Sequence, residues 1–366
     1  MSLILTFLGK GGVGRSTIAI AAAHRFARQG KRVLLAIQQA GPAPALLVGM
    51  VLGPTPADLA PNLQVVQFQA ANLLENSWEE VKKLESQYLR TPFFKEVFGQ
   101  ELGVLPGMDS ALVLNALREY DASNAYDVIV FDGLGDQSTL RMLGMPEITG
   151  WYVRRFRKVF SDSDLGKTLS PFIQPIASAV LNVSWMDDPF NQPVAKQATD
   201  ILEQGRQAIA DPNRIAAYLV TTEEEGAIAT AKYLWGAAQQ VGLTVGGVIL
   251  NRALEAGAVV DEFAPLPVNS VPNQPVNDWQ HLADTLPNLD QASQAPRPIA
   301  VNLAERKVSL FLPGFDKKQV KLTQYGPEMT IEAGDQRRNV LLPPELNGKS
   351  VTSAKFQDGF LIISFG

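Results

Sequence analysis

The sequence predicts an α/β chain built on a doubly wound, mostly parallel sheet and continued by a smaller all-β unit. Three observations carry this. A short apolar segment, Leu3-Ile4-Leu5-Thr6-Phe7-Leu8, runs into the glycine-rich stretch Gly9-Lys10-Gly11-Gly12-Val13-Gly14-Arg15-Ser16-Thr17 and then into a helical period. Strand-like and helix-like segments alternate to about residue 290, the order a parallel sheet requires because each crossover needs a helix. Beyond that point the helical period is lost, and short runs alternate between apolar and polar residues.

The first element is β-prone and apolar, as a strand buried on both faces should be. After the glycines, Ile18, Ala22 and Phe26 recur at helical spacing until Gly30 offers a stop. Strand, glycine loop and helix form a phosphate-binding arrangement. Glycines let consecutive backbone N–H groups turn inward around an anion, and the helix N-terminus adds partial positive charge. Gly9 to Ser16 fits the pattern Gly-x-x-x-x-Gly-Lys-Ser/Thr, with Arg15 where the lysine belongs. Lys10, directly after the first glycine, supplies a second cation. These nine residues are therefore expected to form a nucleotide site.

Arg32 to Ile37 reads as the second strand, and Gln38-Gln39-Ala40-Gly41-Pro42 follows at its carboxyl end, the sheet edge where ligands bind. Leu63 to Phe68 is a further strand. Leu73 to Tyr88 carries an amphipathic stripe of Leu74, Trp78, Val81, Leu84 and Tyr88. Ala111 to Leu117 is helical, and Tyr126 to Asp132 reads as a central strand. Its terminal Asp132 fits a carboxylate that holds the water shell of a Mg²⁺ ion bound directly by Ser16.

The chain turns at Gly133 and re-enters a helix by Arg141. It then passes through a middle region crowded with methionine and aromatic residues, Met142 to Phe160 and Phe172 to Phe190. Such side chains suit both a packed core and adaptable apolar surfaces. Pro193 to Ile209 and Ala227 to Val241 are helices; Ile215 to Val220 and Leu243 to Leu250 are strands, the latter ending at Asn251-Arg252. Gln291 to Pro298 is polar and proline-bearing, a linker composition. The alternation of Val308, Leu310 and Leu312, of Met329 and Ile331, and the turns at Pro313-Gly314, Asn347-Gly348 and Asp358-Gly359 predict a small β-sandwich.

Composition narrows the chemistry. With 366 residues the chain has room for two domains, and 46% hydrophobic content is ample for their cores. A net charge of −5 argues against wholesale nucleic-acid binding. No apolar run reaches the roughly 18–20 residues of a spanning helix, and too few residues precede the glycine loop for a secretory signal. The sequence contains no cysteine, which removes thiolate nucleophiles, iron–sulfur clusters and cysteine-ligated zinc. It has two histidines, His24 and His281, with His24 inside the first helix. The remaining reaction chemistry is that of carboxylates, amides, hydroxyls, cations and a hard metal.

Lys-Gly-Gly-x-Gly at the start of the loop resembles the deviant Walker A loop of the SIMIBI-class ATPases, in which the signature lysine reaches a partner's nucleotide across a dimer interface. Over residues 1–290 the chain resembles the arsenite-pump ATPase (ArsA) family, which includes the factor that delivers tail-anchored membrane proteins. Leu105-Pro106-Gly107-Met108-Asp109, Asp132, Thr139-Leu140-Arg141, Met145-Pro146-Glu147 and Asn251-Arg252 carry the likeness. Leu312-Pro313-Gly314 and Ala354 to Leu361 are similar to an α-crystallin (small heat-shock) domain. The combination resembles the branch of cyanobacteria and plastids. Because the sequence stops at Gly366, without a polymerising extension, large heat-shock-type oligomers are not expected.

The sequence departs from that family at both switches. The family's Asp-Pro-Ala-His run is replaced by Gln39-Ala40-Gly41-Pro42, and the second switch reads Asp132-Gly133-Leu134-Gly135-Asp136-Gln137-Ser138. An amide can orient a water but accepts a proton poorly. Asp136 is either a compensating carboxylate or a solvated loop residue. Arg15 can still pair with phosphate oxygens but is bulkier and geometrically stricter than lysine. Arsenite transport and a zinc-bridged interface find no cysteines to support them.

The resemblance thus implies a P-loop NTPase domain over 1–290 with helical client-binding insertions at about 70–120 and 142–210, a 291–300 linker, and a 301–366 α-crystallin-like unit. ATP or ADP would be held by Gly9, Lys10, Gly11, Gly12, Val13, Gly14, Arg15, Ser16 and Thr17, with Asn251 and Arg252 at the adenine. Ser16 and Asp132 would serve Mg²⁺, and Lys10, Gln39 and Asp132 a slow hydrolysis. Trp151, Phe156, Phe160, Phe172 and Ile176 would line an apolar chamber for transmembrane segments. A cytoplasmic homodimer with transient membrane or receptor contact, no zinc and no nucleic acid is expected. The alternative is a holdase of the same fold that binds nucleotide without hydrolysing it.

Overall fold

The computed structural model describes residues 1–88, 96–162, 193–273, 278–326 and 328–366. Its centre is an eight-stranded sheet in the order β3-β4-β2-β5-β1-β6-β7-β8. The strands are β1 (Leu3–Leu8), β2 (Val33–Ile37), β3 (Ala57–Ala60), β4 (Leu63–Gln67), β5 (Val128–Asp132), β6 (Ile215–Thr221), β7 (Thr244–Asn251) and β8 (Val268–Val271). All pair in parallel except β3, which lies antiparallel on β4 at the edge. Six of these strands are legible in the sequence. The other two, β3 and β8, are four-residue edge strands whose Asp58, Asn269 and Ser270 dilute the apolar signal.

Alternate residues of the central strands face two separate cores, which is the period-2 geometry of a strand covered on both sides. Leu5 and Phe7 pack with Ile18, Ala22 and Phe26 of α1 (Arg15–Arg28) and with Leu282 of α9 (Trp279–Thr285). His24 stacks on Trp279 of α9 at 6.1 Å, and burial lowers its basicity, as befits a packing residue. Ile4 and Leu8 face the opposite layer, with Leu117 of α4 (Met108–Ala122), Leu140 and Leu143 of α5 (Gln137–Asp162), Ile209 of α6 (Pro193–Ala210) and Leu234 of α7 (Glu225–Gln240). Among the described residues the remaining α-helices are α2 (Ala43–Val48), α3 (Ala70–Tyr88) and the single turn α8 (Val259–Glu262). No helix among the described residues is long and apolar enough to cross a membrane.

The stretch after the sheet is seated on it. Ala292 is buried, within a short 3₁₀ turn, Ala292–Gln294, against the core that holds Leu5, Phe7 and Leu282. From there the chain enters β9 (Ile299–Asn302). The C-terminal part stacks a four-stranded antiparallel sheet, β14-β15-β10-β9, on a three-stranded one, β11-β12-β13. These strands are β10 (Lys307–Phe311), β11 (Val320–Tyr325), β12 (Glu328–Ala333), β13 (Gln336–Leu341), β14 (Val351–Gln357) and β15 (Phe360–Phe365). Val308, Leu310, Leu312, Met329, Ile331, Leu361 and Ile363 form its core.

This β-unit docks on α7. Phe311 meets Trp235 edge-on at 5.4 Å, and Tyr233 meets Phe315 at 5.8 Å. Between them, a Cβ on Gly236 would lie 2.2 Å from the carbonyl oxygen of Pro313. A mid-helix glycine costs about 1 kcal/mol relative to alanine; here it lets two backbones touch.

Candidate nucleotide site

The glycine loop leaves the carboxyl end of β1 and turns into α1, so its amides and the helix N-terminus share one mouth. Positions Gly11 and Gly12 face open space, whereas Gly14 is enclosed. Gly14 has φ +95, and a Cβ there would lie 2.3 Å from Nδ2 of Asn251. That amide, buried at the end of β7, donates to the carbonyl of Val13 at 2.8 Å. Asn251 therefore braces the loop from behind. Arg252, next to it, is exposed and sits at φ 62.

Asp132 ends β5 directly beside the loop and is 4% exposed. Burial raises its pKa to about 6, against the hydroxyl of Ser16, which hydrogen-bonds it, and the charge of Arg15. A hydroxyl and a buried carboxyl joined in this way are the donor set a Mg²⁺ site needs, one oxygen for the ion and one for its water shell. A bound Mg²⁺ would supply positive charge to phosphate oxygens. Thr17 is half-buried one residue on.

The two cations of the loop are both engaged within the chain. Lys10 forms an exposed ion pair with Glu224 at 2.5 Å, on the loop that leads from β6 into α7. Arg15 turns toward the loop after β5, where it donates to the carbonyl of Leu134 and crowds the α-carbon of Gly135. Burial lowers the Arg15 pKa, opposed by Asp132 and Asp136. The Gly9 N–H donates to the Gly135 carbonyl at 2.9 Å, so the two loops are tied directly. Asp136 caps α5, accepting from the Ser138 amide at 2.9 Å and from its hydroxyl. Of the two readings of Asp136, the structure places it as a helix cap with its carboxylate toward Arg15.

After β2 the picture changes. Gln39 is exposed, and its carbonyl accepts from Nε2 of Gln67 at 2.9 Å. Gln67 also donates to the Gly41 carbonyl at 3.0 Å, pinning this loop from β4. Gln38, not Gln39, is the glutamine turned inward: its N–H donates to the Asp132 carbonyl at 3.0 Å, and its buried Oε1 has no partner. Sequence reasoning missed Gln38, Gln67 and the bracing role of Asn251. Strand alternation carried past β2 puts Gln38 and Gln39 on opposite sides, so the sequence could have signalled that only one of them turns inward.

Among the described residues no group of three His, Cys, Asp or Glu gathers to hold a metal. Of the expected client residues, Trp151 is half-buried and its indole N–H donates to Glu328 of β12 at 3.0 Å. Phe172 and Ile176 lie outside the described residues, and the side chains of Phe156 and Phe160 lie outside them as well.

Comparison with known proteins shows the family. The family described as anion-transporting ATPase, the ArsA ATPases, matches residues 2–263, and the HSP20-like domain found in ArsA matches residues 304–365. The chain belongs to the ArsA ATPase family. A Chlorobaculum tepidum protein that carries the name arsenical pump-driving ATPase is 25% identical, over 99% of this chain and 95% of its own length. An Aquifex aeolicus protein of the same name, numbered 1, is 21% identical over 98% of this chain and 99% of its own. A Cryptosporidium parvum ATPase ASNA1 homolog is 30% identical over 38% of this chain and 37% of its own length. Membership of the ArsA family implies nucleotide binding.

Proposed function

We propose that this ArsA-family chain binds ATP or ADP with Mg²⁺ at the Gly9–Thr17 loop and works as a homodimeric chaperone for hydrophobic, transmembrane-type segments. The observation that carries the nucleotide part is the bond between Ser16 and the buried Asp132 beneath a loop whose backbone is open at Gly11 and Gly12. The loop amides and Lys10 would hold phosphates, Ser16 the metal, and Asp132 its water shell. Thr17 would touch the α-phosphate, and Asn251 together with Arg252 the adenine. Residues 1–290 form the nucleotide-handling unit, 291–300 the join and 301–366 the β-unit. Lys10 would exchange its exposed bond to Glu224 for a phosphate, its own or a partner's. Exposed ion pairs are worth about 1 kcal/mol or less, so the exchange is inexpensive.

The placement of Arg15 favours weak hydrolysis, and with it the non-hydrolysing holdase as the second reading. Its guanidinium is committed to Leu134, and Gln39 points to solvent where a water-orienting group is needed. Loss of such groups lowers phosphoryl transfer by orders of magnitude.

Titration with a fluorescent ATP analogue, with and without Mg²⁺, combined with sedimentation, tests the reading. Micromolar, Mg-dependent binding that shifts the chain to a dimer is expected; a monomer indifferent to millimolar ATP would refute it. Single-turnover cleavage then separates slow hydrolysis from none. Co-expression with a tail-anchored protein and pull-down tests the client part, which fails if charged residues at Trp151, Phe156 and Phe172 leave capture unchanged in a folded chain.

A further inference from the structure

Helix α5 starts at the nucleotide site. Its first residues follow the 132–136 loop, which is bound to the glycine loop by Gly9 and Arg15 and to α5 itself by the Gly135 N–H, donated to Thr139 Oγ1 at 2.8 Å. Any shift of that loop is therefore a shift of the start of α5. Nine residues into the helix stands Pro146. It has no N–H for the carbonyl of Met142, and its ring crowds the preceding turn, so this is where α5 can bend.

The β12–β13 hairpin touches α5 on both sides of that proline. Before it, Arg141 donates to the carboxylate of Asp335 in the hairpin turn. Directly after it, Glu147 lies 3.5 Å from the guanidinium of Arg338 on β13. One turn further, Trp151 donates to Glu328 on β12 at 3.0 Å. The hairpin has its own foothold on α7: Arg338 donates to the Gln239 carbonyl at 3.1 Å, and the Asp335 N–H to the Tyr233 hydroxyl at 3.2 Å. The three contacts differ in weight. Arg141 and Asp335 are exposed, so that pair adds direction more than energy. Arg338 is 9% exposed, and depriving a buried charge of its partner is costly. A bend at Pro146 would have to break these contacts or carry the hairpin off α7.

We propose that the β12–β13 hairpin is a splint across Pro146 that fixes the two halves of α5, with Glu328, Asp335 and Arg338 acting as positioning residues for the nucleotide site through the 132–136 loop. The inference rests on the nucleotide reading above. Coupling of this kind is reciprocal: if the hairpin biases the loop, nucleotide must bias the hairpin by the same factor.

Hydrogen exchange of the full chain, with and without saturating Mg²⁺ and ATPγS, reads both ends at once. Slowed amides over residues 9–17 report nucleotide binding. A change of about threefold or more in exchange over residues 328–341, abolished in Glu328→Ala/Asp335→Ala, which removes both acceptors, is the expected result. The same variant should shift the ATPγS dissociation constant about fivefold, the low end of ordinary coupling. Trp151→Phe, which keeps an aromatic ring and loses the donor, should give part of that shift. Arg338→Met probes the buried contact, and the two surface substitutions keep the test alive if that variant does not fold. A protected loop with an indifferent hairpin and an unchanged dissociation constant overturns the splint while leaving nucleotide binding intact. An unprotected loop overturns both.

Discussion

Two loops leave the same edge of the sheet, one after β1 and one after β2, and they are built to different standards. The first is closed in from several sides. Asn251 supports Val13, Gly9 is tied to Gly135, and Ser16 is bonded to a buried carboxyl. The second is held through its backbone alone, by Gln67, and its exposed Gln39 carries no charge. On the proposed reading, the difference separates binding from turnover. Gripping phosphate needs fixed amides and a helix terminus, and these are present. Hydrolysis needs a group positioned at the attacking water, and that part is the sparse one.

The comparison can be broken most severely at Gly14. Gly14→Ala puts a Cβ at a positive φ and against Asn251, so nucleotide affinity should fall a hundredfold or more, measured by titration with a fluorescent analogue after checking the fold by circular dichroism. Asn251→Ala should come next. A buried hydrogen bond lost with its acceptor left unpaired costs about 1–3 kcal/mol, so affinity should drop roughly fivefold to a hundredfold, with a lower thermal midpoint. In the second loop Gln39→Ala should change the dissociation constant less than about twofold. Gln38→Ala should alter single-turnover cleavage more than Gln39→Ala does, since only Gln38 has an inward amide.

The smallest effect lies at the far end of the same strands. There the Arg32 side chain and backbone hydrogen-bond Asp127 and lower its pKa to about 2. A carboxyl with a folded pKa below its unfolded one stabilises above about pH 4, and this contribution is lost as pH falls toward 2. The pair is largely exposed, so Asp127→Asn should cost little at neutral pH and flatten the acid limb of a denaturation curve. Nucleotide affinity should not move.

What the sequence discloses follows distance along the chain. The loop at 9–17 is contiguous, so its chemistry is legible in order, as are the central strands from Leu3 and Val128. Gln39 was singled out by its place in a run, but which of two adjacent glutamines turns inward depends on the pleat of β2. Asn251 lies 238 residues from the carbonyl it supports, and Arg15 lies 119 from Leu134; no local pattern encodes either contact. Asp335, Arg338 and Glu328 read as ordinary polar positions of a hairpin. Their meeting with α5 is set by how the two units dock, and the alternation of β12 and β13 is silent on that.

Gly236 bears on how the molecule could be taken apart. In a shortened chain ending before β9, alanine at this position should strengthen α7; in the full chain the same methyl would force Pro313 away. The sign of one substitution would thus reverse with the presence of the second unit, and a pair of melting curves could report whether two halves of a gene product had learned to live as one body.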